Sequence, residues 1–444
     1  MMNHESKSSR RKLRMLLPIM MTTLFLGACS EKASIEKETA PNADTISKEP
    51  VELSIYWMYN SSSEQLFMEQ FGNSIVKKYP NISFKWVSAA SVGFDAVVTN
   101  KEKVDIFYGN INNAAALSDA GYLRDITPLA KKQNFNLEQV EPKALDMLAS
   151  ANNGVLPGLP SYLNYHVLYY NRDIFDKFGV AYPKNGMTWD ETYDLARKVT
   201  RLEGGTQYVG FSHQFLNGTL IQLNSYGQEV FVPKTNKVTI NEGQWPNILR
   251  TFQRFFDIPG HEYLVGTGTV DAFIKEQRLA MRVGLASYVS DPTQLPPNWD
   301  VVSLPVFSDL PKVGSGIEPI YFYLSSLSEK PNEAFAAMTA ILSEEGQLTL
   351  LRRGQLPALK MPNIAEKMAQ EVPSLKGKNA SALTFNNFPA VTSFTKEAAA
   401  VRPPFTEAIT AVMTGKSDVN TALRTAQEKA ERTMEERKAA GLAK

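Results

Sequence analysis

A single cysteine, Cys29, in 444 residues excludes intramolecular disulfides, cysteine-based zinc sites and dithiol redox pairs. Histidine is nearly as sparse, and His4, His166, His213 and His261 are too scattered to suggest a metal cluster. Neither sign of charge is in surplus: 47 Lys and Arg face 46 Asp and Glu, for a formal net charge of +1. Nucleic-acid binders cluster their cations and usually run strongly basic, so no nucleic-acid partner is expected. Catalytic signatures are missing as well, with no nucleophile elbow, His-Glu zinc motif, P-loop or dinucleotide fingerprint; Gly266-Thr267-Gly268 lacks the third glycine. No catalytic residue, cofactor or metal is therefore expected, although a glycosidase-type carboxylate pair, with its separation of roughly 5–10 Å, is a property of the fold and not of spacing along the chain. What remains is ordinary globular composition, 43% hydrophobic and 21% charged, in a chain long enough for two or three domains.

The N-terminus has its own logic. Lys7, Arg10, Arg11, Lys12 and Arg14 precede an uncharged, mostly apolar stretch at residues 15–28. As a helix those residues reach only about 21 Å against a hydrocarbon core of ~30 Å, which reads as the apolar part of a signal peptide at residues 1–28 and not as a span. Leu26-Gly27-Ala28-Cys29 resembles the lipobox of bacterial lipoproteins, which implies diacylation of Cys29, palmitate being a typical acyl chain, and a cell-membrane location, lipid-anchored on the extracytoplasmic face. Loss of the leader removes five cations and Glu5 and leaves the remainder near −3, so lipid and not charge would hold it on an anionic surface. Residues 30–50 are polar, mixed in charge and aperiodic, and with Cys29 form a flexible tether of roughly 25 Å root-mean-square reach.

From Val51 onward the pattern is α/β. Val51, Leu53 and Ile55 share one face of a strand; Phe67, Phe71 and Ile75 recur at four-residue spacing on a helix over residues 64–79, and a strand follows at 82–87. The apolar run at 104–107, a small helix at 114–120 and the Gly121-to-Pro128 turn continue the alternation, which predicts a largely parallel sheet. Glycine and proline crowd residues 154–160, marking a crossing. Thr188-Trp189-Asp190-Glu191 has the form of a capping box, with Trp189 read as packing. Val419, Leu423, Ala426, Ala430 and Met434 make an apolar stripe on a charged C-terminal helix.

Aromatic and amide side chains gather near expected strand ends: Trp57, Tyr59 and Asn60; Tyr108, Asn110, Asn112 and Asn113; Tyr162, Asn164 and Tyr165. Sugars offer apolar C–H faces and a rim of hydroxyls, and are held by aromatic platforms with amides and carboxylates around them. Carboxyl ends of strands in open α/β sheets are where ligands bind.

Several blocks carry a family likeness: residues 104–107 continuing through Gly121-Tyr122-Leu123-Arg124-Asp125-Ile126-Thr127-Pro128; Gly158-Leu159-Pro160 followed by Tyr169-Tyr170-Asn171-Arg172-Asp173-Ile174-Phe175 and the Thr188 box; Phe273-Ile274-Lys275-Glu276-Gln277-Arg278-Leu279-Ala280-Met281; and Trp299-Asp300-Val301-Val302 with Leu304-Pro305. In these the chain resembles the extracellular solute-binding proteins of ABC importers, in the sugar-binding group that includes maltose-binding protein. Gln277 and Arg278 depart from the likeness, standing where a Gly-Lys or Gly-Glu pair is common. The resemblance implies a two-lobed periplasmic-binding-protein-like (type II) fold with discontinuous lobes and hinge segments, lobe one from residues 51–157 and 303–356 and lobe two from 158–302 and 357–444.

By the same likeness the cleft residues are Asn60, Ser61, Asn112, Asn113, Tyr162, Asn164, His213, Phe215, Ser287, Tyr288 and Arg402. Amides stand where the maltose type has carboxylates, and Arg402 where it has an aromatic platform, which points away from maltodextrins. Arg402 or Arg282 would suit an acidic sugar, because a guanidinium grips a carboxylate in bidentate fashion. The implied function is capture of a sugar or oligosaccharide by flytrap closure and delivery to an ABC permease, by a monomer. A binder of a peptide, polyamine or phosphorylated polyol, or a secreted polysaccharide-degrading enzyme, remain as alternatives.

Overall fold

The computed structural model describes residues 46–60, 63–213, 223–264 and 266–441. The leader, Cys29, most of the tether, Ser61, Phe215 and the side chain of His213 lie outside the described residues. Among the described residues no helix is long and apolar enough to cross a membrane.

Two principal sheets organise the chain. The first contains β1 (Val51–Trp57), β2 (Ile82–Ser88), β3 (Ile106–Asn110), β4 (Gly158–Asn164), β12 (Glu318–Leu324) and β13 (Leu356–Pro357), in the order β13-β4-β12-β3-β1-β2. The second contains β5 (His166–Asn171), β6 (Arg201–Glu203), β7 (Thr206–His213), β10 (Leu279–Leu285) and β11 (Trp299–Ser303), in the order β11-β5-β10-β7-β6; β8 (Phe231–Val232) and β9 (Lys237–Val238) form a separate pair. The sheets are mixed and not largely parallel. Among the described residues only the strand pairs β1–β2, β1–β3 and β10–β7 run parallel, and the strands next to crossings pair antiparallel.

The strand membership moves the expected lobe boundaries. Gly158 to Asn164 belongs to the first sheet, because Gly158 lies so close to β12 that a Cβ there would sit 2.2 Å from the Phe322 carbonyl oxygen. The first crossing therefore falls at Tyr165. Ser303 closes β11 in the second sheet and Pro357 lies in the first, so the other two crossings are residues 304–317 and 358–395. The three touch one another. Gly314 N donates to Asn387 O at 2.9 Å and Asn387 N to Lys312 O at 2.7 Å, and the Tyr165 ring meets Phe388 edge-on at 5.3 Å.

Apolar side chains sort into two cores. In β5, Val167 and Tyr169 join the core that continues to the first sheet, while Leu168 and Tyr170 face the core under the C-terminal helices. A strand covered on both faces reads as an unbroken apolar run, as this one does. The second core takes Phe211, Trp189, Phe252, Phe405 and the whole C-terminal stripe from Val419 to Met434. The capping box forms as expected: Glu191 N donates to Thr188 Oγ1 at 3.1 Å and Thr188 N to Glu191 Oε2 at 2.8 Å. The helix expected over residues 64–79 is interrupted by a π-helical turn, Met68–Gly72, between Glu64–Phe67 and Asn73–Lys78.

Candidate functional site

Two groups of side chains gather where the sheets meet. At the first, Trp57 ends β1 stacked on Tyr108 of β3 at 3.7 Å, and Tyr59 stands edge-on to both. Tyr162, Tyr288 and Glu318 complete this group. Burial raises the Tyr59 phenol above its ordinary range, with Tyr162 and Glu318 adding to the effect. Burial likewise pushes Tyr162 up to about 12, opposed by a hydrogen bond with Tyr108 and aided by Glu318. Tyr288 is raised by burial first; Arg282, 5.2 Å from its ring, pulls it down and Glu318 pushes it up. These phenols stay protonated at any physiological pH and serve as hydrogen-bonding donors with an apolar body.

Asn164 and Ser287, both expected in the cleft, are joined to each other, Asn164 Nδ2 donating to Ser287 Oγ at 2.9 Å. Asn113 turns back on its own loop, its Oδ1 accepting from Asn110 N at 2.9 Å. Asn60 is exposed at the end of β1.

The second group lines a cavity of about 360 Å³ between the two sheets' helices. One wall is Ile111, Asn112, Ala115 and Asp119, at the helix Asn113–Asp119 that follows β3; the other includes Phe394, Lys396 and Arg402 at the start of the helix Lys396–Met413. Lys396 Nζ bridges to Asp119 Oδ1 at 2.9 Å across it. Arg402 lies over the Phe394 ring, 4.3 Å from its centroid. Burial lowers the Arg402 pKa from its ordinary value, and Glu229 opposes that shift. Glu229 accepts from Ser393 N at 2.9 and 3.0 Å and from Ser393 Oγ at 2.9 Å. Thus Asn112 and Arg402 share one cavity, Tyr162 and Tyr288 share the other cluster with Asn164 and Ser287, and Glu318 is a member that sequence reasoning missed. Its signal was a carboxylate opening a strand two residues after Gly314-Ser315-Gly316, and β-sheet register sets it opposite Asn164.

Among the described residues no group of three or more His, Cys, Asp or Glu is arranged to hold a metal ion. The cavity, lined by an amide, an aromatic ring and a few charges, suits a polar organic solute.

Two lobes built from alternating segments, three crossings and a cavity walled from both sides define a solute-binding protein class of fold. The family model for bacterial extracellular solute-binding proteins matches residues 60–348, and the chain belongs to that family. Family membership places the protein outside the cytoplasm, among binding proteins. It is 25% identical over 236 residues to the arabinooligosaccharide-binding protein of Bacillus subtilis (strain 168), covering 51% of this chain and 50% of that protein. It is 22% identical over 150 residues to the mannitol-binding protein of Pseudomonas aeruginosa, covering 33% of each. The chain thus spans half or less of the length of these curated relatives. In fold it matches an ABC substrate-binding protein of Listeria monocytogenes in complex with cycloalternan, with a TM-score of 0.67 at 19% identity, over 87% of this chain and 99% of that one.

Proposed function

We propose that this protein is the capturing component of an ABC importer for a sugar or oligosaccharide, passing its loaded form to a membrane permease as a monomer. The observation that supports this most is the cavity with one wall from each lobe: a ligand there gains contacts with Asn112 on one side and Phe394 and Arg402 on the other only when the lobes approach. Differential contact of that kind shifts an open-closed equilibrium, and moving it from mostly open to mostly closed takes roughly 5.5 kcal/mol of preference. The tyrosine cluster offers stacking faces for sugar rings, and the named relatives bind an arabinooligosaccharide and mannitol. In the same reading, the remaining expected contacts, Asn60, Ser61, His213 and Phe215, complete the cleft, and no catalysis takes place there. Lipid on Cys29 anchors the mature chain on the outer face of the membrane, with acyl burial contributing about 0.8 kcal/mol per CH₂.

Thermal-shift screening against neutral and acidic oligosaccharides, peptides, polyamines and phosphorylated polyols tests the carbohydrate reading. A sugar is expected to raise the melting temperature in a concentration-dependent way; a response to a peptide, polyamine or polyol phosphate alone would overturn it. Release of new reducing ends from a glycan would reinstate the enzyme reading. Cys29→Ser is expected to abolish incorporation of labelled palmitate and release the protein into the medium.

A further inference from the structure

We propose that the saccharide captured here carries a carboxylate and that Arg402 grips it, an inference that rests on the carbohydrate reading. Arg402 has five N–H donors and no acceptor, yet among the described residues it makes no hydrogen bond and no ion pair; its Nε is out of solvent and unpartnered. Buried polar groups in folded proteins are nearly always satisfied, and a desolvated guanidinium whose N–H groups find no acceptor is costly. The nearby anions are committed elsewhere. Glu229 spends its oxygens on Ser393 N and Oγ, and Asp119 is paired with Lys396. Phe394 holds the guanidinium by its face, which leaves the N–H edges for an in-plane acceptor.

The cavity that Arg402 lines also carries Lys396 and Arg437 on its walls and Asp119 opposite. A carboxylate fits the fork geometry of a guanidinium. The rest of the wall, Ile111, Asn112, Ala115 and Phe394, has the mixture of apolar surface and amide that a sugar ring wants. The ligand class is therefore a uronate-bearing oligosaccharide with its acidic ring between the helix after β3 and the start of Lys396–Met413.

The test is calorimetric titration of the purified protein with di- and trigalacturonate and cellobiouronate, beside galactobiose, galactotriose and cellobiose as neutral counterparts and galactose 6-phosphate and 6-sulfate as other anions. A uronate is expected to bind at least roughly tenfold more tightly than its neutral counterpart, an advantage that shrinks as salt rises. Arg402→Gln is expected to remove about that tenfold from uronate affinity and to change neutral-sugar affinity by much less. Neutral sugars binding as well as uronates, a preference for the phosphate or sulfate, or an Arg402→Gln variant with undiminished uronate affinity would each overturn the proposal while leaving the carbohydrate reading in place. Failure of every saccharide to bind would overturn both.

Discussion

Asn164, the last residue of β4, clips the first sheet to the turn that leaves the second: its Nδ2 donates to Ser287 Oγ at 2.9 Å, and its Oδ1 accepts from Tyr165 N at 3.1 Å and Ser287 N at 3.4 Å. The clip sits at the first crossing, where any change in the angle between lobes must be absorbed. Asn164→Ala leaves the buried Tyr165 amide and the Ser287 hydroxyl short of partners, at about 1–3 kcal/mol. In a chain of this length that lowers the melting temperature by about 1–3 °C, and ligand affinity should change by two- to tenfold through the lobe equilibrium, roughly 0.4–1.4 kcal/mol. A loss of affinity far beyond that range with an unchanged melting curve would assign the amide to direct ligand contact.

His166 opens β5, buried, with its backbone N–H donating to Ser315 Oγ at 2.9 Å and its Nδ1 unpartnered. Burial lowers its pKa to about 4. The folded state therefore holds the neutral ring while the unfolded chain takes up a proton near pH 6.5, so this contribution is intact above pH 6.5 and lost as pH falls from 6.5 to 4. The loss amounts to about 3 kcal/mol at roughly 1.4 kcal/mol per unit. Denaturant titrations of the wild type and His166→Asn at pH 7 and pH 4.5 should show a smaller acid loss in the variant; equal losses would exclude this role.

Trp189 begins its helix with its ring buried 4.6 Å from Phe252 and 5.9 Å from Phe211, and it touches neither group of candidate ligand residues in the contacts described. Trp189→Ala should cost about 3–5 kcal/mol of stability with ligand affinity unaltered in the folded fraction. Trp189→Phe should cost less, since it keeps the ring and removes an indole N–H that has no partner. Equilibrium unfolding and calorimetry on the two variants separate packing from binding.

Gln277, between the helix Thr267–Ile274 and β10, has φ 51, a left-handed conformation that costs an ordinary residue roughly 1–2 kcal/mol. Gln277→Gly relieves it at the expense of a more flexible unfolded chain, for a net gain of about 0.5–1 kcal/mol. A rise in the denaturant midpoint at constant slope checks this; a fall would mean that the Gln277 side chain contributes more than its backbone strain.

Features set by neighbouring residues were legible in the sequence: the Thr188 to Glu191 cap, the alternation in β1, and the C-terminal stripe all follow from local spacing. Gln277 shows the same from the other side, since the backbone there adopts a glycine-like turn without glycine. Features set by distant strands were not. The glycine and proline cluster at 154–160 suggested a crossing, but Gly158 is small because β12 presses on it, and β12 lies far along the chain. The antiparallel entry of β12 and β5 likewise depends on which sheet each strand joins. Within the site, Asn112 and Arg402 were named from likeness and meet in one cavity, whereas the Asn164–Ser287 clip and the convergence of three tyrosines on Glu318 required the crossings to be folded.

The strand order of the first sheet has a bearing on biogenesis. β12 lies between β3 and β4, yet the whole of the second sheet is synthesised before it. Until Glu318–Leu324 emerges, β3 and β4 have no ladder between them, and each presents a bare edge of the kind that recruits foreign strands. A nascent or truncated polypeptide halted between Tyr165 and Glu318 is thus a sheet missing its middle plank, exposed to pairing with other chains until the plank arrives.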